Sequence, residues 1–325
     1  MSNVETIGSL GENESLKRTI ARLNLSEHAL VGPGDDSAVI NAPDGRFVVT
    51  TDTLVEDHDF KLSWSTGYDL GWKAVASNIA DVAAMGAVPT ALVVALTAPS
   101  STQISWLEAF ADGLRDACTQ LAPGCGVVGG DLAASEKVMI SVAAHGSLEG
   151  REPVLRSGAQ VGDILAVAGT LGRAAAGLAL LQSSNTDAIA AYDDWVNLQR
   201  RPQPPVAAGV DAALAGATSM LDVSDGLAKD ASRIAKASAV TLQIDPLMLQ
   251  GFEAVIEEAA RAIDANPGEW VIGGGEDHSL LATFPSQATL PRAFKAIGLV
   301  LPQGPAPVML GASPLPESGW DSVTG

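Results

Sequence analysis

Apolar and polar positions alternate along the first half of the chain in two distinct periods. Residues 37–40 and 46–54 read as strands joined by the turn Asn41-Ala42-Pro43-Asp44-Gly45, whose residues favour tight reversal. The pair reads as a hairpin with Asp36 and Asp52 flanking it. From 69 to 86 the period changes to that of a helix. Val75, Ile79 and Val82 fall on one face, and Lys73, Ser77, Asn78 and Asp81 share the other, so a lysine and a carboxylate occupy one polar stripe. A strand at 90–97, a helix at 102–121 and strands at 126–128 and 138–146 complete an α/β first half. Residues 150–153, Gly-Arg-Glu-Pro, mark a boundary, giving domains at 1–149 and 150–325.

The second half restarts with a strand at 163–168, a Gly169-Thr170-Leu171-Gly172 turn and an alanine-rich helix. Helices follow at 188–199 and 206–217. A strand at 220–223 runs into a helix at 225–237, then come a strand at 240–244 and a helix at 252–263. Late strands are expected on both sides of Gly273-Gly274-Gly275. The chain carries no short-period repeat.

Composition narrows the classes. With 325 residues and 47% hydrophobic content, the chain can bury two cores. A formal net charge of −19 disfavours a nucleic-acid partner, which needs a basic surface. The two cysteines, Cys118 and Cys125, fit neither a disulfide framework nor a zinc motif and read as reduced structural residues. The first residues lack the pattern of a signal peptide, and the most apolar run, 87–98, is too short to span a bilayer, so a soluble cytoplasmic protein without a membrane partner is expected.

The candidate chemistry is acidic. Carboxylates recur beside glycine and small apolar residues in Gly34-Asp35-Asp36, Thr51-Asp52-Thr53, Asn78-Ile79-Ala80-Asp81, Gly129-Gly130-Asp131, Asp222-Val223-Ser224-Asp225-Gly226 and Gly275-Glu276-Asp277. Such groups are costly to bury without partners, and nearby Lys and Arg are too few to pair with them all; divalent cations resolve the conflict. Thr50-Thr51-Asp52, at the end of an apolar strand, forms the hard-oxygen set that magnesium accepts. Each motif also has a plain structural reading: a polar turn at 32–37, a helix surface at Asp81, an N-cap at Ser224 with Asp225 favouring the helix dipole. Capping and metal binding are compatible at that last site. No phosphate-binding P-loop, dinucleotide fingerprint or Gly-x-Ser-x-Gly elbow is present, and His28, His58, His145 and His278 lack zinc spacing.

Taken in order, the segments GDDSAV, TDTLVED, NIADVAAMGA, GGD, RSGAQVGD, LDVSDGL and GGEDHSL, with Trp320 near the end, resemble the thiamine-monophosphate kinase family. Aminoimidazole ribonucleotide synthetase, selenophosphate synthetase and a hydrogenase maturation factor belong to the same superfamily. The resemblance implies a two-domain α/β (α+β) protein. Its N-terminal mixed sheet with helices pairs into a dimer barrel and binds ATP and Mg²⁺; its C-terminal α/β sheet domain completes an active-site cleft between the domains. The implied reaction moves the γ-phosphoryl of ATP, as co-substrate, onto thiamine monophosphate with several Mg²⁺ ions. The alternatives are another phosphate acceptor or a non-catalytic Mg-nucleotide-binding homologue. Carried over by motif, Asp36, Thr50, Thr51, Asp52, Asp81, Asp131, Asp222 and Asp225 hold metal, with Asp225, Asp52 and Asp131 at the catalytic centre. Gly130, Asp131, Arg156 and Ser224 contact ATP; Glu276 and Trp320 contact the thiamine part. The family usually has histidine immediately before the phenylalanine after the second motif; here that position is Asp59, preceded by His58, and both are candidate substrate contacts. Its usual Gly-Glu-Asp-Tyr-Glu-Leu is here Gly275-Glu276-Asp277-His278-Ser279-Leu280.

Overall fold

A computed structural model describes residues 4–33 and 37–320; Asp36 lies outside the described residues. The chain divides into two compact units, Met1–Val82 with Val88–Gly150, and Ala83–Ala87 with Arg151–Gly325.

The first unit contains α1 (Ile7–Leu10), α2 (Glu12–Ile20), β1 (Ala29–Val31), β2 (Val39–Ile40), β3 (Val48–Val55), most of α3 (Gly67–Ala84), β4 (Val88–Ala98), α4 (Ile104–Leu121), β5 (Gly126–Ala134) and β6 (Met139–Ser147). Its four-stranded sheet runs β3-β6-β4-β5, with β4 and β5 parallel and the other pairs antiparallel. Parallel neighbours need a crossover, and α4 supplies it. The hairpin expected from residues 37–54 does not form: β2 pairs with β1, while β3 takes an eight-residue register with β6. The longer ladder wins because it also lays Thr50, Asp52 and Leu54 against the covered side of the sheet. Gly129-Gly130-Asp131, expected after a strand, lies inside β5.

Helix α3 is buried almost all round, with Leu70, Val75, Ala76, Ile79, Ala80 and Val82 fully enclosed. It crosses α4 so closely that a Cβ on Gly71 would stand 2.1 Å from Phe110 O, and one on Gly113 2.1 Å from Tyr68 O. The opposite face of the sheet keeps Val49, Thr51, Thr53, Val93, Ala95 and Met139 exposed. Cys118 and Cys125 are free and buried; the hydrogen bond with Cys125 and burial together push the Cys118 thiol up, so it stays protonated.

The second unit contains β7 (Ile164–Ala168), α5 (Arg173–Ser183), α6 (Thr186–Ala191), α7 (Asp193–Arg200), α8 (Val206–Leu214), β8 (Ser219–Val223), α9 (Leu227–Ser238), β9 (Val240–Ile244), α10 (Pro246–Ala262), α11 (Pro267–Gly273), β10 (Ser279–Phe284), β11 (Phe294–Pro302), β12 (Val308–Leu310) and β13 (Ser313–Pro314). The strands form one sheet ordered β13-β12-β9-β11-β7-β10-β8, in which only β12 and β9 pair in parallel. Leu165, Val167, Leu221, Val223, Leu242 and Leu281 from the strands meet Leu227, Ile234 and Ile256 from the helices in one core.

Three expectations are corrected here. The helix at 188–199 is two helices broken at Tyr192. Helix α10 begins six residues before Phe252, because Asp245 accepts the Leu247 N–H and Pro246 takes the first helical position. The segment before Gly274 is helix α11 rather than strand, started the same way by Asn266 and Pro267. No helix among the described residues is long and apolar enough to cross a membrane.

The α3–α4 crossing yields a test. Gly71→Ala should lower the melting temperature by roughly 5–10 °C, from about 2–3 kcal/mol of overpacking against rigid backbone. A calorimetric scan measures it, and an unchanged transition would show that the helices can part.

Candidate active site

In the first unit, Thr50 and Asp52 share the face of β3 that α3 covers. Thr50 Oγ1 donates to Asp81 Oδ2 at 2.8 Å. One helical turn earlier, Asn78 Oδ1 accepts the Asp52 N–H at 3.0 Å, and Asn78 Nδ2 donates to Ala74 O. Lys73, Ser77 and Asn78 are buried, so the polar stripe read from the sequence is an interior one.

Thr51 points the other way, its Oγ1 donating to Val142 O. Asp131 pairs with Ala95, Ala95 with Ser141, and Ser141 with Thr53, which puts Asp131 on the open face with Thr51. It sits three strand spacings from β3, roughly 14 Å. The fold therefore gathers Thr50, Asp52 and Asp81 and holds Asp131 at the far edge. Beside Asp131 is a cavity of about 1020 Å³, lined by Leu16, Phe110, Val128, Gly129 and Gly130 among others, and by Pro33 and Ser37. That volume is at the upper end of small-molecule sites. In the loop after β3, Asp59 closes its own turn: Oδ2 accepts the Val55 N–H at 2.7 Å and Oδ1 lies 3.1 Å from His58 Nδ1.

In the second unit the chemistry centres on the β8–α9 turn. Asp222 is buried near the end of β8, its Oδ2 3.3 Å from Nδ1 of the buried His278. Ser224 is not the N-cap expected of it. Helix α9 starts later, behind Gly226 at φ 114°, with no side-chain cap, and the Asp225 N–H donates instead to Asp230 Oδ2 at 2.9 Å. The carbonyls of this turn carry further residues: Ser224 O accepts the Glu276 N–H at 2.9 Å, and Asp225 O accepts the Trp320 N–H at 3.0 Å. Both expected thiamine contacts thus hang from the turn that presents Asp222 and Asp225. Glu276 Oε2 also accepts Gln199 Nε2 at 3.2 Å, and Gln199 is buried. Arg156 is exposed, its backbone carbonyl accepting the Ser238 hydroxyl. Asp277 is directed to the start of α5, with Oδ1 accepting from Thr170 at 2.6 Å; burial raises its pKa.

Charge is balanced within α9. Asp225 Oδ2 pairs with Lys229 at 3.3 Å and with Arg233, while Arg233 also holds Asp230. These cations stand four and eight residues after Asp225, on the same helical stripe. Burial pushes the Asp230 carboxyl up from 3.8 to about 7; Arg233 opposes this and the Asp222 charge reinforces it. Against its own burial, Arg233 is raised by the charges of Asp230 and Asp225.

Among the described residues no three His, Cys, Asp or Glu side chains converge closely enough to hold a metal by themselves. The donors that are present, Thr50 and Asp81 in one unit and Asp222 and Asp225 in the other, offer hard oxygen atoms. Each set, taken within its own unit, fits a cation such as Mg²⁺, which keeps several waters and binds protein through one or two carboxylates.

The family model described as AIR synthase related protein, N-terminal domain, matches residues 34–148. Thiamine-monophosphate kinase of Mycobacterium tuberculosis is 43% identical over 321 residues, covering 98% of this chain and 93% of that protein. The chain belongs to the thiamine-monophosphate kinase family. The solved thiamine monophosphate kinase of Aquifex aeolicus superposes with a TM-score of 0.75 at 31% identity, over 85% of this chain and 91% of that one. A structure of AaThiL complexed with AMPPCP and TMP gives 0.75 at 30% identity, over 98% and 99%. The two-unit α/β architecture is that of the solved kinases.

Within this kinase fold, sequence reading missed Lys229, Arg233 and Asp230, although their spacing from Asp225 could have revealed them. It also missed Gln199, for which no local signal exists, since 77 residues separate it from Glu276.

Asp230 gives a pH prediction. Its proton is held more tightly in the folded state, so its stabilising contribution is complete below about pH 4 and is lost as pH rises through about 7. In metal-free protein, Asp230→Asn should flatten the fall in stability between those limits, by up to about 4 kcal/mol. Denaturant titrations across that range measure it.

Proposed function

We propose that this chain catalyses transfer of the γ-phosphoryl group of ATP to thiamine monophosphate, giving thiamine diphosphate and ADP. The observation that carries the reading is the near-full-length match to thiamine-monophosphate kinases, one of them solved with AMPPCP and TMP. The acceptor is itself a phosphate and already anionic, so the reaction needs no general base and no protein nucleophile. Catalysis reduces to positioning and charge neutralisation. Repulsion between two unit charges 4 Å apart is about 4 kcal/mol at a moderate effective dielectric, and each phosphate carries more than one charge.

In this reading Thr50, Thr51, Asp52, Asp81, Asp131, Asp222 and Asp225 hold divalent cations, as does Asp36, which lies outside the described residues. Bound Mg²⁺ supplies charge neutralisation and fixed geometry for the phosphate oxygens. Asp225, Asp52 and Asp131 act at the reacting centre. Gly130, Arg156 and Ser224 bind the nucleotide, supported at Gly130 by the adjoining cavity. Glu276 and Trp320 bind the cationic, aromatic thiamine part, a carboxylate and an indole being suited to a thiazolium ring. His58 and Asp59 are assigned to the substrate, and Asp59 acts by shaping its loop. Lys229 and Arg233 neutralise Asp225 when no cation does.

The protein is further proposed to be a cytoplasmic homodimer, residues 1–149 serving ATP, Mg²⁺ and dimerisation and 150–325 completing the active site. The support for pairing is the open face of the β3-β6-β4-β5 sheet. It exposes Val49, Val93 and Met139 among alanines and threonines, with Asp131 on the edge strand, a face that a second copy would cover.

Three outcomes are expected. With Mg²⁺, thiamine diphosphate should appear one-for-one with ADP, resolved by chromatography, and Asp225→Asn should lower kcat by at least about 100-fold with an unchanged circular dichroism spectrum. Release of ADP without thiamine diphosphate would point to another acceptor. Val93→Asp should shift the mass measured by light scattering from dimer to monomer, and a native monomer would remove the pairing.

A further inference from the structure

The chain after β13 leaves the sheet with Leu315 packed on the core and runs along the polar side of α9. Glu317 Oε1 accepts from Ser232 Oγ at 2.8 Å and from Lys236 Nζ. Gly319 passes the N-terminus of the helix at φ 152°, where a Cβ would stand 2.1 Å from Asp225 O. Trp320 then donates its N–H to Asp225 O, and its carbonyl accepts from Lys229 Nζ. Lys229, Ser232 and Lys236 follow at helical spacing and form one stripe under the segment. The same Lys229 pairs with the Asp225 carboxylate. The cations lower the Glu317 pKa, Lys236 first and with Ser232 assisting, so the carboxylate is charged at neutral pH.

We propose that residues 315–320 form a strap clamped to α9 through Glu317, Ser232 and Lys236, and that Glu317 and Lys236 are positioning residues for the acceptor: they set Trp320 against the turn that carries Asp222 and Asp225. This rests on the assignment of Trp320 to the thiamine part. The physical reason is entropic. An indole on an irregular segment binds a flat cationic ring well only if its backbone is already fixed, and two hydrogen bonds to the Trp320 backbone at the end of a five-residue segment do not fix it alone. The clamp at Glu317 halves the free length. Because the strap is tied to Asp225, whatever orders that turn also orders Trp320, so cation and acceptor affinities are linked.

The test compares Glu317→Ala, Lys236→Met and Trp320→Ala in the full-length protein. Hydrogen exchange of the C-terminal peptide should accelerate about tenfold in Glu317→Ala and Lys236→Met. KM for thiamine monophosphate should rise about 5–20-fold in both, with kcat and KM for ATP within about twofold. Calorimetric affinity for thiamine monophosphate, measured with Mg²⁺ and a non-hydrolysable ATP analogue, should fall by the same factor, and Glu317→Asp should recover part of it. Exchange unchanged in the first two variants would show that the clamp does not order the segment and overturns the proposal without reference to activity. A raised KM in Trp320→Ala alone would overturn the strap and leave the acceptor assignment standing. An unchanged KM in Trp320→Ala would overturn both. Lys236 is largely solvent-exposed, so Lys236→Met keeps the test open should Glu317→Ala fold poorly.

Discussion

The organisation of the second unit depends on how the β8–α9 turn accommodates concentrated negative charge. Asp222, Asp225 and Asp230 lie within nine residues, one of them fully enclosed, and unpaired carboxylates in such a setting are strongly unfavourable. Arg233 bridges Asp225 and Asp230, Lys229 adds a second cation to Asp225, and His278 lies beside Asp222. These pairs offset part of the carboxylate charge with cations drawn from one stripe of α9.

The same turn does mechanical work. Its carboxylates pair with His278, Lys229 and Arg233, while its carbonyls hold the amides of Glu276 and Trp320, residues 52 and 95 positions downstream of Ser224 and Asp225 respectively. Backbone hydrogen bonds of this kind are insensitive to side-chain identity. The family-typical tyrosine can therefore be His278 here without altering how Glu276 is presented. In the first unit the equivalent support is steric. Glycines at the α3–α4 crossing allow close packing, and α3 in turn carries Asn78 and Asp81 to β3, where a side-chain amide occupies the Asp52 N–H.

Two features separate what patterns reveal from what they hide. Helices α3, α4 and α9 and strands β4, β6 and β9 were legible because apolar residues recur along them at the element's period or in a bounded run. Strand partners were not. The turn at Asn41–Gly45 exists, with Gly45 at φ 72°, but a turn sequence cannot say which strand a following segment joins. Helix α11 was misread because it spans only seven residues and runs straight into the glycines, too short for a helical period to show despite the Asn266-Pro267 start. Ser224 failed as a cap because the helix starts at Leu227 rather than at Asp225, and Asp230 in its first turn takes the Asp225 N–H.

By itself the sequence determined the series of acidic motifs, the division into two α/β halves, and the family. These follow from residue types at short, fixed spacings, which survive any uncertainty about long-range contacts. Only the tertiary structure decided which donors meet. Sheet order sends Asp131 to the edge opposite Asp52, side-chain alternation parts Thr51 from Thr50, and antiparallel pairing of β8 with β10 brings His278 to Asp222. The sheet-order and β8–β10 outcomes depend on partners tens of residues apart in the chain, from Ala91 with Gly126 to Val48 with Gly146, where the free energy of a whole ladder or core, rather than any local preference, selects the arrangement.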